Sequence, residues 1–214
     1  MDEFELVGLL VFVIMFAGTI VWHNTRDEKW REKLQRIATK VNGDVKSEQV
    51  FLWKRTFLEM PVAGCQGVLE RRPGSRSEKK HTKLKVELPK ENQLEILIYP
   101  ESIATKIGKA VGLEDIEVGD KKFDRQFRIK GDPRHLVLDL LDEKVRASIE
   151  RLYQLHKKTF RILLLRNYHS LEIRKDCWFD DEQHLLEFIG LTENIVEKLL
   201  EIQGLAGKKQ SRRT

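Results

Sequence analysis

From Phe4 to Trp22 the chain reads FELVGLLVFVIMFAGTIVW, with Glu5 its only charge. At the helical rise this run spans about 28 Å, close to the ~30 Å hydrocarbon core of a bilayer. A helix of a soluble protein normally keeps a polar face, and this run has none. A cleaved signal peptide would show a basic leading region and a small-residue cleavage site. Here the residues ahead of the run include Asp2 and Glu3, and the stretch VWHNTRDEKW after it has no A-x-A pattern. The expectation is a retained, single-pass transmembrane helix contacting the lipid bilayer through residues 4–22.

The flanks orient it. No Lys or Arg precedes the run, whereas Arg26, Lys29, Arg31, Lys33, Arg36 and Lys40 come soon after it. The positive-inside rule then places the C-terminal side in the cytoplasm and the N-terminus outside. The two cysteines, Cys65 and Cys177, stand far apart in no C-x-x-C pattern, which fits free thiols in a reducing compartment.

The chain beyond the anchor suits one folded domain. Charged residues make up 34% and hydrophobic residues 41%, with only 5 Pro and 13 Gly among 214 residues, so the chain is neither low-complexity nor too polar to bury a core. The expected organisation is an anchor at 1–23, a cytoplasmic domain at 24–203 and a basic tail at 204–214. The formal charge of +5 is concentrated in places. Residues 71–85 hold Arg71, Arg72, Arg76, Lys79, Lys80, Lys83 and Lys85 against Glu78 alone, and the tail adds Lys208, Lys209, Arg212 and Arg213.

Thr25 and Glu28 form a T-x-x-E capping box, predicting a new helix with apolar positions at Trp30, Leu34, Ile37, Ala38 and Val41 and a C-cap at Gly43. Strands are expected at 50–58 and 68–72. Alternation at 82–88 and 94–99, around a polar turn at 89–92, predicts a hairpin. Residues 101–111 read as helix. Asp120 is positioned to N-cap a short turn that sets Phe123 and Phe127 on one side, before a strand at 128–130. Asp132-Pro133 and Asp142 are further helix starts. Segments 160–166 and 171–175 predict a second hairpin across 167–170. Asp180 with Gln183 opens a long helix to about Gln203, its core face Leu185, Phe188, Ile189, Leu191, Ile195, Val196, Leu199 and Leu200. Two hairpins with four or five helices argue an α+β fold, a mainly antiparallel sheet packed with helices.

The segment E-x-G-D-x-x-F-D-x-x-F-x-I-K-G at 117–131 carries a resemblance. So do the helix-start Asp-Pro, the Leu140-Leu141 pair, the strand hairpin and the long amphipathic helix after it. Over roughly residues 34–200 the chain resembles uncharacterised bacterial membrane-anchored proteins with a domain of unknown function. The resemblance implies a bacterial inner-membrane protein with a cytoplasmic domain, and it implies no catalytic role for any residue. Asn167-Tyr168-His169 stands where such proteins often carry a Gly-containing turn.

Sites can be weighed on chemistry. Asp120 and Asp124, four apart, could act as acid and base, or Asp120 could cap the turn while Asp124 pairs with Arg125, Arg128 or a lysine. His169, Cys177 and His184 match no compact zinc spacing, so no metal ligand is assigned. Nothing in sequence brings Cys65 to His81 as nucleophile and base. No P-loop, G-x-S-x-G or H-E-x-x-H occurs, and no cofactor is expected. The basic stretch could contact anionic lipid head groups or be a solvated, flexible hairpin tip. It lacks the interleaved aromatics of a specific nucleic-acid surface. Three function classes remain: a non-catalytic interaction or scaffolding module whose partner is a membrane or envelope protein, an anionic-lipid sensor, and an enzyme drawing on Asp120, Asp124, His135 and Asp139.

Overall fold

The computed structural model describes residues 3–50, 53–75, 78–89, 92–102, 114–155, 159–165 and 169–204. The helix expected at 101–111, Arg76, the turn residues Asn167 and Tyr168, and the tail from 205 lie outside the described residues almost entirely. Among the described residues the order is α1 (Glu3–Val41), β1 (Asp44–Val50), β2 (Trp53–Val62), β3 (Cys65–Arg72), β4 (His81–Glu87), β5 (Glu95–Pro100), β6 (Glu114–Asp115), α2 (Lys121–Gln126), β7 (Phe127–Asp132), α3 (Arg134–Leu140), α4 (Glu143–Gln154), β8 (Arg161–Leu165), β9 (Ser170–Lys175) and α5 (Glu182–Ile202). The fold is α+β, with a nine-stranded antiparallel sheet in the order β1-β2-β3-β4-β9-β8-β5-β7-β6. The chain divides into two compact units, Met1–Glu59 and Met60–Thr214.

In the first unit α1 is one helix of 39 residues, about 58 Å long. The expected new start at Thr25 is absent, because the helix runs without a break from Glu3 to Val41. The Thr25 hydroxyl, cast as a cap, donates back to the Val21 carbonyl at 2.9 Å within the continuing helix. The helix changes character along its length. Val7, Leu9, Leu10, Val11, Phe12, Val13, Ile14, Met15, Phe16 and Val21 are 45–67% exposed, whereas Trp30, Leu34, Ile37 and Ala38 are buried. Among the described residues no helix is long and apolar enough to cross a membrane. The side chains of Phe4, Leu6, Ile20 and Trp22, all in the apolar run, lie outside the described residues.

The helix ends on Asn42, not on Gly43 as expected. Asn42 takes the left-handed conformation at φ 53°, and the Gly43 amide reaches back to Ala38 O at 2.9 Å, closing a Schellman turn. β1 and β2 then form a hairpin from Asp44↔Glu59 to Val50↔Trp53. The Trp30 indole donates to Thr56 O at 3.1 Å, and the Thr56 hydroxyl donates to Asp27 at 2.6 Å.

In the second unit one row of aligned residues crosses six strands: Leu69, Leu84, Ile173, Ile162, Ile98 and Ile129. All six are at most 2% exposed. The next row contains Gly131, where an added Cβ would lie 2.7 Å from both Glu95 O and Val137 Cγ2. The glycine closing the 117–131 segment therefore lets α3 approach the sheet directly. Phe123 and Phe127 meet with tilted rings, centroids 4.7 Å apart and planes at 56°, on one side as their spacing predicted.

Several expectations need correction. β4 and β5 do not form a hairpin. The β8–β9 hairpin, which does form, is inserted between them, so β4 pairs with β9 and β5 with β8. Pro133, not Asp132, precedes α3, because Asp132 is held in the ladder opposite Glu95, and no side chain caps that helix. Asp181, not Asp180, caps α5 through the Gln183 amide. Leu191 is only half-buried, and Thr192 takes the core position beside it, bonded to Phe188 O. Asp142 caps α4 as expected.

Candidate functional site

A shift of one residue along each strand turns from the apolar row to the opposite face of the sheet. There Glu70 stands opposite Lys83, Lys83 opposite Arg174, and Arg174 opposite Arg161. Three cations in adjacent cross-strand positions repel one another unless acids intervene. Lys83 Nζ lies 3.1 Å from Glu70 and 3.4 Å from Glu172. Arg174 is 3.0 Å from both Glu78 and Asp176. Glu70, 2% exposed, also meets Arg72 Nε at 3.1 Å, an ion pair without the alignment of a hydrogen bond. At the end of the row Arg161 Nε is buried and has no hydrogen-bond partner among the described residues.

This network ties down the basic stretch. Between β3 and β4 the Ser75 amide donates to Glu78 O at 2.7 Å and the Glu78 amide to Ser75 Oγ at 3.1 Å. The hydrogen bond from Arg174 holds the Glu78 carboxyl below its ordinary pKa. His81 bonds Lys79 O at 2.9 Å, and burial pushes its imidazole below the usual value. Trp178, just after β9, donates to Arg72 O at 2.9 Å, while Arg71 and Lys80 sit 4.9 and 5.2 Å from its ring. So Arg72 and Lys83 serve Glu70, and Arg71 and Lys80 serve Trp178. The ammonium groups of Lys79 and Lys85 have no ion pair among the described residues. Residues 73–75 and 78–80 of the loop are exposed, and these contacts engage its described part.

The carboxylates weighed as acid and base are committed to backbone amides. Asp120 accepts from Lys122 N and Phe123 N at 3.0 and 3.1 Å, and these bonds, chiefly that from Phe123, lower its pKa. Among the described residues Asp124 pairs with none of the expected cations. It accepts from Val118 N and Gly119 N at 2.9 and 3.0 Å and so fixes the loop before α2. Gly119 is there at φ 84°, which a side chain would strain. His135 and Asp139 are exposed on α3.

The remaining clusters come apart. Arg72 pairs with His81, so Cys65 lies seven residues along β3, about 23 Å from His81. His169 and Cys177 flank opposite ends of β9, and His184 Nδ1 lies 3.5 Å from an Asp181 carboxylate oxygen. Among the described residues no group of three His, Cys, Asp or Glu side chains could hold a metal ion. An open cavity of about 330 Å³ is lined, among the described residues, by Asn92, Gln93, Asp132 and Pro133.

Lys175 is the least expected polar group. It lies on the helix-covered face in phase with Leu171 and Ile173, fully buried, and donates to Leu152 O at 2.9 Å. That carbonyl belongs to the last turn of α4, where a cation meets the negative end of the helix. Burial lowers the amine to about 8. The alternation Leu171, Ile173, Lys175 is the sequence signal for it. Arg161 and Trp178 have no such signal, since their importance comes from strands and loops far apart in sequence.

No family model, curated protein or solved structure matches the chain.

Proposed function

We propose that the chain is a single-pass membrane protein anchored by residues 4–22, with a cytoplasmic α+β domain that serves as a non-catalytic interaction or scaffolding module for a membrane or envelope protein. The observation that carries the reading is the exposure of the apolar half of α1. Ten large hydrophobic side chains around that half, from Val7 to Val21, stand 45–67% exposed. Water solvates such a surface poorly, and a contiguous apolar patch of this kind marks a membrane or protein contact. Arg26, Lys29, Arg31, Lys33, Arg36 and Lys40 on its C-terminal flank support the cytoplasmic orientation. The commitment of Asp120 and Asp124 to backbone amides supports a structural use of the residues that a catalytic reading would draw on.

Alkaline carbonate extraction of the full chain tests the anchor. The protein is expected to stay with the membrane pellet, and Val11→Lys with Ile14→Lys together to release it. Wild-type protein found wholly in the carbonate supernatant would sink the reading.

A second reading, contact of the domain with anionic lipid head groups, is favoured by Lys79 and Lys85, whose ammonium groups are unengaged among the described residues. Each cation near an anionic surface contributes about 1 kcal/mol, so neutralising both Lys79 and Lys85 to Gln should weaken binding to acidic vesicles roughly 10- to 30-fold. Binding that is equal on neutral and acidic vesicles removes this reading.

A further inference from the structure

We infer that the second unit carries a seat for anionic lipid head groups, built from Trp178 and the cations Arg71, Lys79 and Lys80. The inference deepens the anionic-lipid reading above and rests on it. Its first support is an aromatic that the basic stretch lacks in sequence. From Arg71 to Glu87 the chain has no Phe, Tyr or Trp. The fold supplies one from 106 residues beyond Arg72: the Trp178 indole donates to Arg72 O at 2.9 Å. Arg71 lies over its ring at 4.9 Å and Lys80 at 5.2 Å. The ring is half-buried, while Lys79 and Lys80 are exposed. With its N–H satisfied inside the fold, the indole asks for no further hydrogen bond.

The second support is charge. Nearby acids are already engaged, Glu70 by Arg72 and Lys83, and Glu78 and Asp176 by Arg174. Arg71 and Lys80 lie over a neutral ring, which attracts a cation without cancelling its charge. The backbone that carries them is fixed as well. The Ser75 amide donates to Glu78 O, the Glu78 amide to Ser75 Oγ, and His81 bonds Lys79 O. A cation ordered before it meets its ligand loses less freedom on binding.

The third support is the match to one ligand. A bilayer's interfacial zone favours Trp, and an anionic leaflet attracts Lys and Arg within a Debye length, about 8 Å at physiological salt. A patch that joins both, on a chain held at such a surface, fits a phosphate-bearing lipid head group. Nucleic acid fits less well, because its bases stack on successive aromatics. Phe179, the ring next in sequence to Trp178, is buried against Phe188. The seat would make docking of the second unit depend on leaflet charge, which the anchor alone cannot do.

The test uses the full chain in nanodiscs of phosphatidylcholine, with and without phosphatidylglycerol, brominated near the head-group end of the acyl chains to quench nearby indoles. The Trp178 signal is the difference between wild type and Trp178→Phe. The expected result is that acidic discs remove most of this signal and neutral discs little of it. Lys79→Gln with Lys80→Gln should return acidic discs to the neutral value. Equal quenching in the two disc types, or quenching that survives the double substitution, overturns the seat. So does an unquenched signal in acidic discs. If Lys79→Gln with Lys85→Gln still weakens binding to acidic vesicles, the broader lipid reading then stands without the seat. Inorganic phosphate at matched ionic strength is the remaining arm. A Trp178 emission change with phosphate and no quenching by lipid assigns the seat to free phosphate and overturns the lipid. Circular dichroism checks that Trp178→Phe folds. If it does not, a solvatochromic dye on Lys79→Cys, both native cysteines being buried, must shift to the blue on acidic discs alone, and no shift overturns the seat.

Discussion

The two faces of the second unit's sheet are built from neighbouring residues of the same strands, yet they hold together by different physics. On one face the row Leu69, Leu84, Ile173, Ile162, Ile98 and Ile129 excludes water with apolar side chains alone. On the other, the row Glu70, Lys83, Arg174 and Arg161 has no single property shared by all its members. Three of its four members are cations, and acids from β3, β9, the β3–β4 loop and the residue after β9 offset two of them, Lys83 and Arg174. Apolar burial is non-directional and adds along the row. An ion-pair network is directional, and charges near the surface are screened. The first face should therefore respond to substitution by volume, and the second by which partner is lost.

The largest effect is expected at the middle of the apolar row. Ile173→Ala removes buried methylenes from a fully buried site between β4 and β8, and such truncations cost about 2–5 kcal/mol. Urea unfolding of the detergent-solubilised chain, monitored by far-ultraviolet circular dichroism, measures it. A loss below about 1 kcal/mol would mean that the row is not the core.

Lys175 breaks the rule of its face, and pH shows by how much. Its amine titrates near 8 in the folded chain against 10.5 for an unperturbed lysine. Burial disfavours the charged form, so between those values the unfolded chain binds more protons and stability rises with pH. The contribution of the neutral amine is fully present above 10.5 and is lost as pH falls through about 8. The gap of 2.5 units corresponds to about 3 kcal/mol, part of it already offset by the bond to Leu152 O. Lys175→Met should therefore be at least as stable as wild type at pH 7 and lose that advantage by about 2–3 kcal/mol at pH 10. Parallel unfolding curves for the two proteins at both pH values, with no change in their difference, would contradict the assignment.

Much of this architecture is legible in the residues, because local rules decide it. The caps at Asp120 and Asp142, the Phe123/Phe127 pair and the β8–β9 hairpin all depend on spacings of two to four residues. The failures are long-range. Alternation at 82–88 and 94–99 identifies both strands but cannot say that another hairpin will pair between them. Two β-edges of equal apolar pattern are equally good partners until the whole sheet is assembled. Thr25 and Asp132 fail for a related reason, competition. Each is a good cap by residue type, and each is claimed by the element before it, α1 or the β7 ladder. The charged row was legible only as a count of cations. The acids that occupy them come from Glu70, Glu78, Glu172 and Asp176, scattered over a hundred residues.

The smallest effect should come from Arg161, and it separates an assembled network from a row of unrelated charges. Arg161 closes the cationic end of the row without an acid of its own among the described residues, directly opposite Arg174. Removing it deletes one repulsion, with Arg174, and one attraction, to the Glu78 carboxylate, so Arg161→Gln should change stability by no more than about 0.5 kcal/mol, in either direction. Glu78→Gln, which strips Arg174 of one of its two acids, should cost about 1 kcal/mol. If the face works as a network, combining the two should cost less than the sum of the separate changes, because each single change already removes the attraction between Glu78 and Arg161. Strict additivity in a double-mutant cycle would show that Arg161 does not feel Glu78, and the charged face would then be a set of separate pairs with no common design against its apolar neighbour.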